Sequence, residues 1–283
     1  MSLNSVITNV GAMVALASFN KTAQAMSVVQ KQVSTGYRVS DSTDDGAAFA
    51  IAQGVRSTVS ALTSANQQLG NVQGLLSTSQ SGLTNVSNMM ASMRNVLVKL
   101  SDGNVQGNDR TNYESQYNSL LANVKTFIQD ANYNGKTLIG NLGGSIGSFA
   151  RVAVARNESG STYGISTFSG SALYNAIAFG SGTLGAAATI AALLTASGTF
   201  ITQMNSVGQA LNTIGSSVNY VNNQISYNND KINSLSTGLG ALVDADLAKE
   251  SAQLQALQIR QQLGTQALSL ANQAPQSLLS LFK

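Results

Sequence analysis

Phe200, Met204, Val207, Leu211, Ile214, Val218, Val221, Ile225, Asn228, Ile232, Leu235, Leu239 and Leu242 follow one another in alternating steps of four and three. An apolar residue about every 3.5 positions makes a seam that one helix buries only against another, the pattern of a coiled coil. At a rise of about 1.5 Å per residue the helix is roughly 60–65 Å long, far beyond the roughly three turns of an average globular helix. Asn228 is the only polar member of the run. A single buried amide of this kind sets register at a cost in stability, so Asn228→Leu is expected to raise the melting temperature and loosen pairing.

Two segments upstream can supply the other wall. From Ala47 a stripe runs through Val55, Val59, Leu62 and Leu69, then Val72, Leu76, Leu83, Val86, Met90, Met93, Leu97 and Leu100. The three-residue slip near Leu69 reads as a stammer, which locally overwinds a coiled coil. After Asp102-Gly103-Asn104 the spacing resumes in Tyr113, Tyr117, Leu120, Val124, Phe127 and Ala131, and Asn132-Tyr133-Asn134-Gly135 signals a turn. The expected fold is mainly α: a long antiparallel coiled-coil rod, with 41–135 as its N-terminal part and 200–243 as its C-terminal helix.

Between 136 and 199 the chain turns rich in Gly, Ser and Thr. Phe149 to Ala155 and Thr162 to Phe168 favour short strands, so a small β-hairpin region is expected and no large outer domain. Gly180-Ser181-Gly182-Thr183-Leu184-Gly185 matches the dinucleotide-binding pattern, but no acid occurs before Asp230. The fingerprint needs one about 20 residues on, so the segment is read as a flexible loop. No charged residue occurs from Ser159 to Asn229, and an exposed uncharged surface is poorly protected against association. O-linked sugar is therefore expected among Ser161, Thr162, Ser166, Thr167, Ser169, Ser171, Ser181 and Thr183.

The chain has no His, Cys or Trp and one proline, Pro275. Ser-His-Asp triads, Cys-His dyads and His-based zinc sites cannot be built from it. Asp41, Asp44 and Asp45 crowd the break from Ser34 to Gly46 without EF-hand spacing, and turn formation and capping explain them. Asp244, Asp246 and Glu250 read as a helix start capped by Asp244. No catalytic residue, cofactor or metal site is expected, and the chain is not read as an enzyme. Net charge is +3 with only 10% charged residues; no basic stripe points to nucleic acid, and no apolar run is long enough to span a membrane. The lack of Lys or Arg before Lys21 argues against a secretory signal peptide.

The two ends, 1–40 and 244–283, are amphipathic, and the first 20 residues and the stretch between Arg260 and Lys283 hold no charged side chain. Leu3, Ile7, Val10, Val14 and Ala17, then Phe19, Ala23, Met26 and Val33, keep the helical rhythm. The other end carries Leu247, Leu254 and Leu257 on one face and Ile259, Leu263, Ala267 and Leu270 on a neighbouring one. Soluble monomers avoid such patches, and membrane-surface helices carry Lys or Arg that these lack. Self-assembly is the better reading: Leu3, Val6, Ile7, Val10 and Val14 pack with Leu263, Leu268, Leu270, Leu278 and Leu281 when copies stack. Both segments are then expected to be disordered in the monomer.

Several motifs, in order and at both ends, resemble bacterial flagellins. They are Ser2-Leu3-Asn4, Ser34-Thr35-Gly36-Tyr37-Arg38-Val39, Asp44-Asp45, Ala48-Phe49-Ala50-Ile51-Ala52, Asn134-Gly135-Lys136-Thr137-Leu138, Asp244-Ala245-Asp246-Leu247-Ala248-Lys249-Glu250 and Ala271-Asn272-Gln273-Ala274-Pro275-Gln276. The short centre is similar to the short flagellins of alphaproteobacteria. The resemblance implies a filament subunit that is exported by the flagellar type III apparatus and polymerises in many copies. Its implied partners are an export chaperone, the filament cap, hook-filament junction proteins and other flagellins. It also implies a patch at Arg94, Asn95 and Val96 that the flagellin-recognising Toll-like receptor senses. Many flagellins have Arg-Glu-Leu there, and the lost acid and shorter apolar side chain count against recognition.

The expected function is mechanical: an extracellular structural subunit of the flagellar filament, serving swimming motility. Two alternatives are a hook-filament junction protein of the same secretion system and a secreted membrane-active translocator.

Overall fold

The computed structural model describes residues 8–281, with side chains as far as residue 273. Its elements are α1 (Val10–Thr35), α2 (Gly46–Leu100), α3 (Gly107–Asp130), β1 (Lys136–Thr137), β2 (Ser148–Phe149), β3 (Val152–Ala155), β4 (Thr162–Ile165), α4 (Gly170–Ile177), α5 (Ser181–Leu184), α6 (Ala187–Leu193), α7 (Thr199–Val243) and α8 (Leu247–Leu281). The chain is 74% helical and mainly α. It divides into two compact units, Val59–Ile232 and the discontinuous Met1–Thr58 with Asn233–Lys283.

In the Val59–Ile232 unit the long seams meet. α7 is one uninterrupted helix of 45 residues, and every seventh residue from Phe200 (Val207, Ile214, Val221, Asn228) is fully buried. The alternate positions, Met204, Leu211, Val218, Ile225 and Ile232, are half-buried. One edge of the seam thus forms the core and the other its margin. On α2 a buried line runs through Leu62, Ala65, Leu69, Val72, Leu76, Ser79, Leu83, Val86, Met90, Met93, Leu97 and Leu100, with Leu75 and Val96 buried beside it. This run alternates three and four without interruption, so the phase step falls at Leu62–Ala65 rather than near Leu69. Ala65 and Ser79 complete this line, buried although small or polar; Ser79 Oγ donates to Leu75 O at 2.9 Å.

α3 buries Tyr117, Leu121, Val124 and Ile128, a face wider than the Tyr113–Ala131 seam. The extra width is occupied by the segment after it. Ile128 lies against Gly170, where a Cβ would come within 2.5 Å of Ile128 Cγ2 and 2.3 Å of Ile139 O, so only glycine admits this approach. β1 and β2 pair in parallel, and β3 and β4 form an antiparallel hairpin in register Val152↔Ile165. Val152, Val154 and Ile165 point into the core. The region 136–199 is more helical than expected, because α4, α5 and α6 bury Leu173, Ile177, Leu184 and Ile190 in the same core. Gly180–Gly185 is accordingly α5 with its flanks, since burial of Leu184 outweighs the poor helix propensity of glycine.

In the other unit α1 and α8 lie antiparallel. Asn9 caps α1 by accepting from Ala12 N, and its Nδ2 donates to Ala271 O at 2.7 Å. Gly36 ends α1 at φ +74°, a left-handed C-cap conformation that suits glycine. Asp45 starts α2 by accepting from Ala47 N and Ala48 N. Asp246, not Asp244, caps α8, accepting from Ala248 N and Lys249 N. Asp244 instead pairs with Tyr37 in an isolated bridge that joins the α1–α2 and α7–α8 connections. Beside it Val39, Ala48, Ala52 and Val243 form a small core.

Candidate functional site

The helix pair α1–α8 does not bury its most apolar residues. Its inner faces can be read from burial: Ala12, Ala15, Phe19, Thr22, Met26 and Val29 on α1, and Leu254, Leu257, Gln261, Gly264, Leu268 and Ala271 on α8. Each run alternates three and four. Phe19 sits on Gly264, where a Cβ would lie 3.3 Å from its Cδ2. Among the described side chains of the pair, only Val29 and Leu257 are buried. The bulkier aliphatic groups are left outside: Val10 is 45% exposed, Val14 64%, Leu263 57% and Leu270 70%, with Met13, Leu16, Val28 and Ile259 also exposed.

Within one chain, therefore, Val10 and Val14 do not pack with Leu263 and Leu270. Over the described residues α1 and α8 are helical, and they pack on each other where the disordered monomer ends were expected. The inner seam mixes small and polar residues, which let the two backbones come close, with Phe19, Met26, Val29, Leu254, Leu257 and Leu268, while a second set of large apolar side chains lines the outside. Leu268 belongs to the inner seam and is half-buried. Leu3, Val6 and Ile7 lie outside the described residues, as do the side chains of Leu278 and Leu281. The sequence signal that was missed is the regular run Ala12, Ala15, Phe19, Thr22, Met26, Val29, half of it small or polar.

Electrostatics in this unit centre on Lys31, whose Nζ lies 2.5 Å from Asp41 Oδ2 and 2.9 Å from Asp44 Oδ1. The Lys31 ammonium, then the Thr43 hydroxyl and amide, hold the Asp41 carboxyl down to about 2. Asp44 is lowered too, first by Lys31 and then by the Ser40 amide, and Lys31 is raised by both. These carboxylates are occupied by an ammonium and backbone donors. Among the described residues no group of three or more His, Cys, Asp or Glu is arranged to hold a metal ion. Among the same residues no helix is long and apolar enough to cross a membrane.

In the other unit the seam residues Leu211, Val218, Ile225 and Ile232 are half-buried, as is Leu239 in its own unit, while Asn228 is fully buried. Asn228 Nδ2 donates to Asn66 Oδ1 at 2.8 Å and to Arg156 O at 3.1 Å, and its Oδ1 accepts from Gln224 Nε2 at 2.9 Å. Asn66 in turn donates to Asn229, and Gln73 to Asn222, so a polar ladder fixes α2 against α7. These partners reverse the expected sign of Asn228→Leu. The variant leaves a carbonyl and two amides short of a partner, and its melting temperature is expected to fall, with a loss of about 1–3 kcal/mol. Thermal denaturation checks this; a rise would mean that the ladder sets register alone.

Of the serines and threonines expected to carry sugar, Thr162, Ser166 and Ser181 are exposed, and Ser161, Thr167, Ser169, Ser171 and Thr183 are half-buried. The Ser169 and Ser171 hydroxyls are engaged by Asn141 Nδ2 at 3.0 and 2.8 Å. On α2, Arg94 and Asn95 are exposed, but Val96 is 3% exposed and part of the core. An outward-facing patch at this point therefore consists of Arg94 and Asn95, and Val96 acts on it only from beneath.

Comparison with known proteins bears on what such a chain does. Residues 6–142 match the bacterial flagellin N-terminal helical region, and residues 194–282 match the C-terminal helical region. The chain is 30% identical to flagellin FljK of Caulobacter vibrioides over 283 residues, covering 100% of both chains. It is 30% identical to a flagellin of Brucella melitensis biotype 1 over 285 residues, 99% of each. A solved chain from Vibrio parahaemolyticus described as a flagellar hook-associated protein has a similar fold, with a TM-score of 0.59 at 16% identity, over 71% of this chain and 100% of that one. With both terminal regions and full-length relatives in agreement, the chain belongs to the bacterial flagellin family, the structural subunits of the extracellular flagellar filament.

Proposed function

We propose that this subunit polymerises through the outer face of the α1–α8 pair and that its role is mechanical rather than catalytic. The observation that carries the reading is the exposed apolar side chains on the outward sides of the pair, Val10, Met13, Val14 and Leu16 on α1 and Ile259, Leu263 and Leu270 on α8. A patch of this kind on a soluble chain calls for a cover, and in a homopolymer the cover is another copy. An export chaperone would shield the same side chains before assembly, and the cap and hook-filament junction proteins would meet them at the two ends of the filament. The test is seeded polymerisation of purified subunit, followed by light scattering and electron microscopy. Filaments growing from seeds support the reading. A subunit that remains monomeric with seeds present, or that binds liposomes at physiological salt instead, counts against it.

We propose further that the charge-free outer region carries O-linked sugar at the exposed Thr162, Ser166 or Ser181. An intact-mass measurement on native filaments is expected to exceed the 29.2 kDa of the chain by whole sugar units. An unmodified mass would end the claim.

A further inference from the structure

We propose that Lys31 is a positioning residue for assembly: its ammonium latches the 40–45 turn onto the end of α1 and so fixes how α1 presents its exposed apolar face. The proposal rests on the assembly reading above. α1 contains two charged residues, Lys21 and Lys31. A lysine kept for solubility would extend into water, whereas the Lys31 side chain is 36% exposed and contacts two carboxylates.

Those carboxylates are themselves fixed. Asp44 Oδ2 accepts from Ser40 N at 2.9 Å, Ser40 Oγ at 3.0 Å and Asp41 N at 3.2 Å. Asp41 Oδ1 accepts from Thr43 N at 2.8 Å and from the Thr43 hydroxyl. The turn is thus held in shape by its own side chains, and Lys31 grips a preformed pair of acceptors rather than two mobile ones. Holding one long side chain against an ordered partner costs less entropy than ordering both.

The same connection is anchored elsewhere in the unit. Arg38 N and Val39 N both donate to Val243 O, at 2.7 and 3.2 Å, and Ala245 N donates to Gly36 O at 2.9 Å. The Arg38 guanidinium donates to Leu242 O at 2.6 Å, and Asp45 caps α2. The connection is therefore tied to the α7–α8 junction by backbone, to α2 by a cap and to α1 by the Lys31 ion pairs. Of these ties, the Lys31 ion pairs are the ones that hold the Asp41 and Asp44 carboxylates to α1, and replacing Lys31 releases them while every backbone bond stays in place.

The test uses the full chain with Lys31→Met, which keeps the apolar stem, and Lys31→Arg, which keeps the charge. Lys31→Met is expected to retain far-ultraviolet circular dichroism. Amide exchange at Ser40, Asp41 and Thr43 should quicken, and the subunit concentration needed for seeded growth should rise, each about fivefold. Lys31→Arg should restore both. Unchanged exchange and growth in Lys31→Met would overturn the latch, as would impaired growth with normal exchange, which would place Lys31 in a contact between copies. If wild-type seeds fail to extend, the assembly reading is what fails, and the exchange measurement still decides the latch.

Discussion

Phe200→Ala is expected to destabilise the Val59–Ile232 unit by about 3–5 kcal/mol, the range for removing a large buried aromatic. Phe200 is fully buried at the first position of the α7 seam. Its ring lies tilted against Phe179, with centroids 6.5 Å apart, and Phe179 stacks on Tyr117 at 6.0 Å. Tyr117 is also fully buried, and its hydroxyl donates to Ile177 O at 2.7 Å. Three rings thus join α3, the end of α4 and the start of α7. Collapse into the vacated space is restricted, because Gly198 already approaches the preceding helix so closely that a Cβ there would lie 2.2 Å from Leu193 O. The cavity term therefore adds to the transfer term. Urea denaturation followed by near-ultraviolet circular dichroism of the tyrosines measures the loss. A change below about 1 kcal/mol would mean that the aromatic cluster is peripheral. Tyr117→Phe, which removes one hydrogen bond, should cost about 1 kcal/mol in the same assay.

How much of this was legible in the sequence varied with the size of the residues involved. The α7 seam could be read directly, because every position but Asn228 is a large apolar residue and the arithmetic leaves no second phase. α2 was read correctly in kind and wrongly in detail, since Ala65 and Ser79 belong to its buried line without looking as though they should. The α3 face was set one position too narrow. Ile128 is buried against Gly170 at the start of α4 and beside the 138–140 segment, a tertiary contact that no local period encodes. α4, α5 and α6 were taken for loop because Gly, Ala, Ser and Thr carry little helical signal. Their formation depends on burying Leu173, Ile177, Leu184 and Ile190, and tertiary burial routinely overrides propensity.

The ends posed the opposite problem. Their hydrophobic signal is split: Phe19, Met26, Leu254 and Leu257 mark the inside of the helix pair, and Val10, Val14, Leu263 and Leu270 mark its outside. A periodicity argument assumes that the bulkiest apolar face meets the nearest partner in the same chain. α1 and α8 break that assumption, with Ala12, Ala15, Thr22, Gln261 and Gly264 facing inward and Val14 and Leu270 facing out. Such a split makes sense for a subunit whose larger partner surface belongs to other copies. Each helix has two jobs, and the small inner residues leave the large ones free for the second.

That division of labour gives the largest functional effect expected for any change to this chain. Removing residues 271–283 should abolish seeded filament growth and leave most of the helicity intact. The deletion takes the last part of α8 and the Ala271 carbonyl that Asn9 Nδ2 engages. The inner contacts from Leu254 to Leu268 against Val29 to Ala15 remain, and the Val59–Ile232 unit is untouched. Ellipticity should therefore fall by little more than the deleted helix itself contributes. Assembly is different, because joining a filament costs each copy its translational and rotational freedom and immobilises side chains at the new contacts. Apolar burial at about 25 cal/mol per Å² offsets this only where enough of the outer apolar surface remains for neighbouring copies to cover. Shortening α8 ends the helix at Leu270, whose side chain is 70% exposed. The experiment pairs circular dichroism with seeded polymerisation of the truncated chain. Filaments of normal length would show that the C-terminal segment is dispensable for assembly. A collapse of helicity would show that α1 and α8 depend on it for their own pairing, and that the intrachain seam is weaker than its regular spacing indicates.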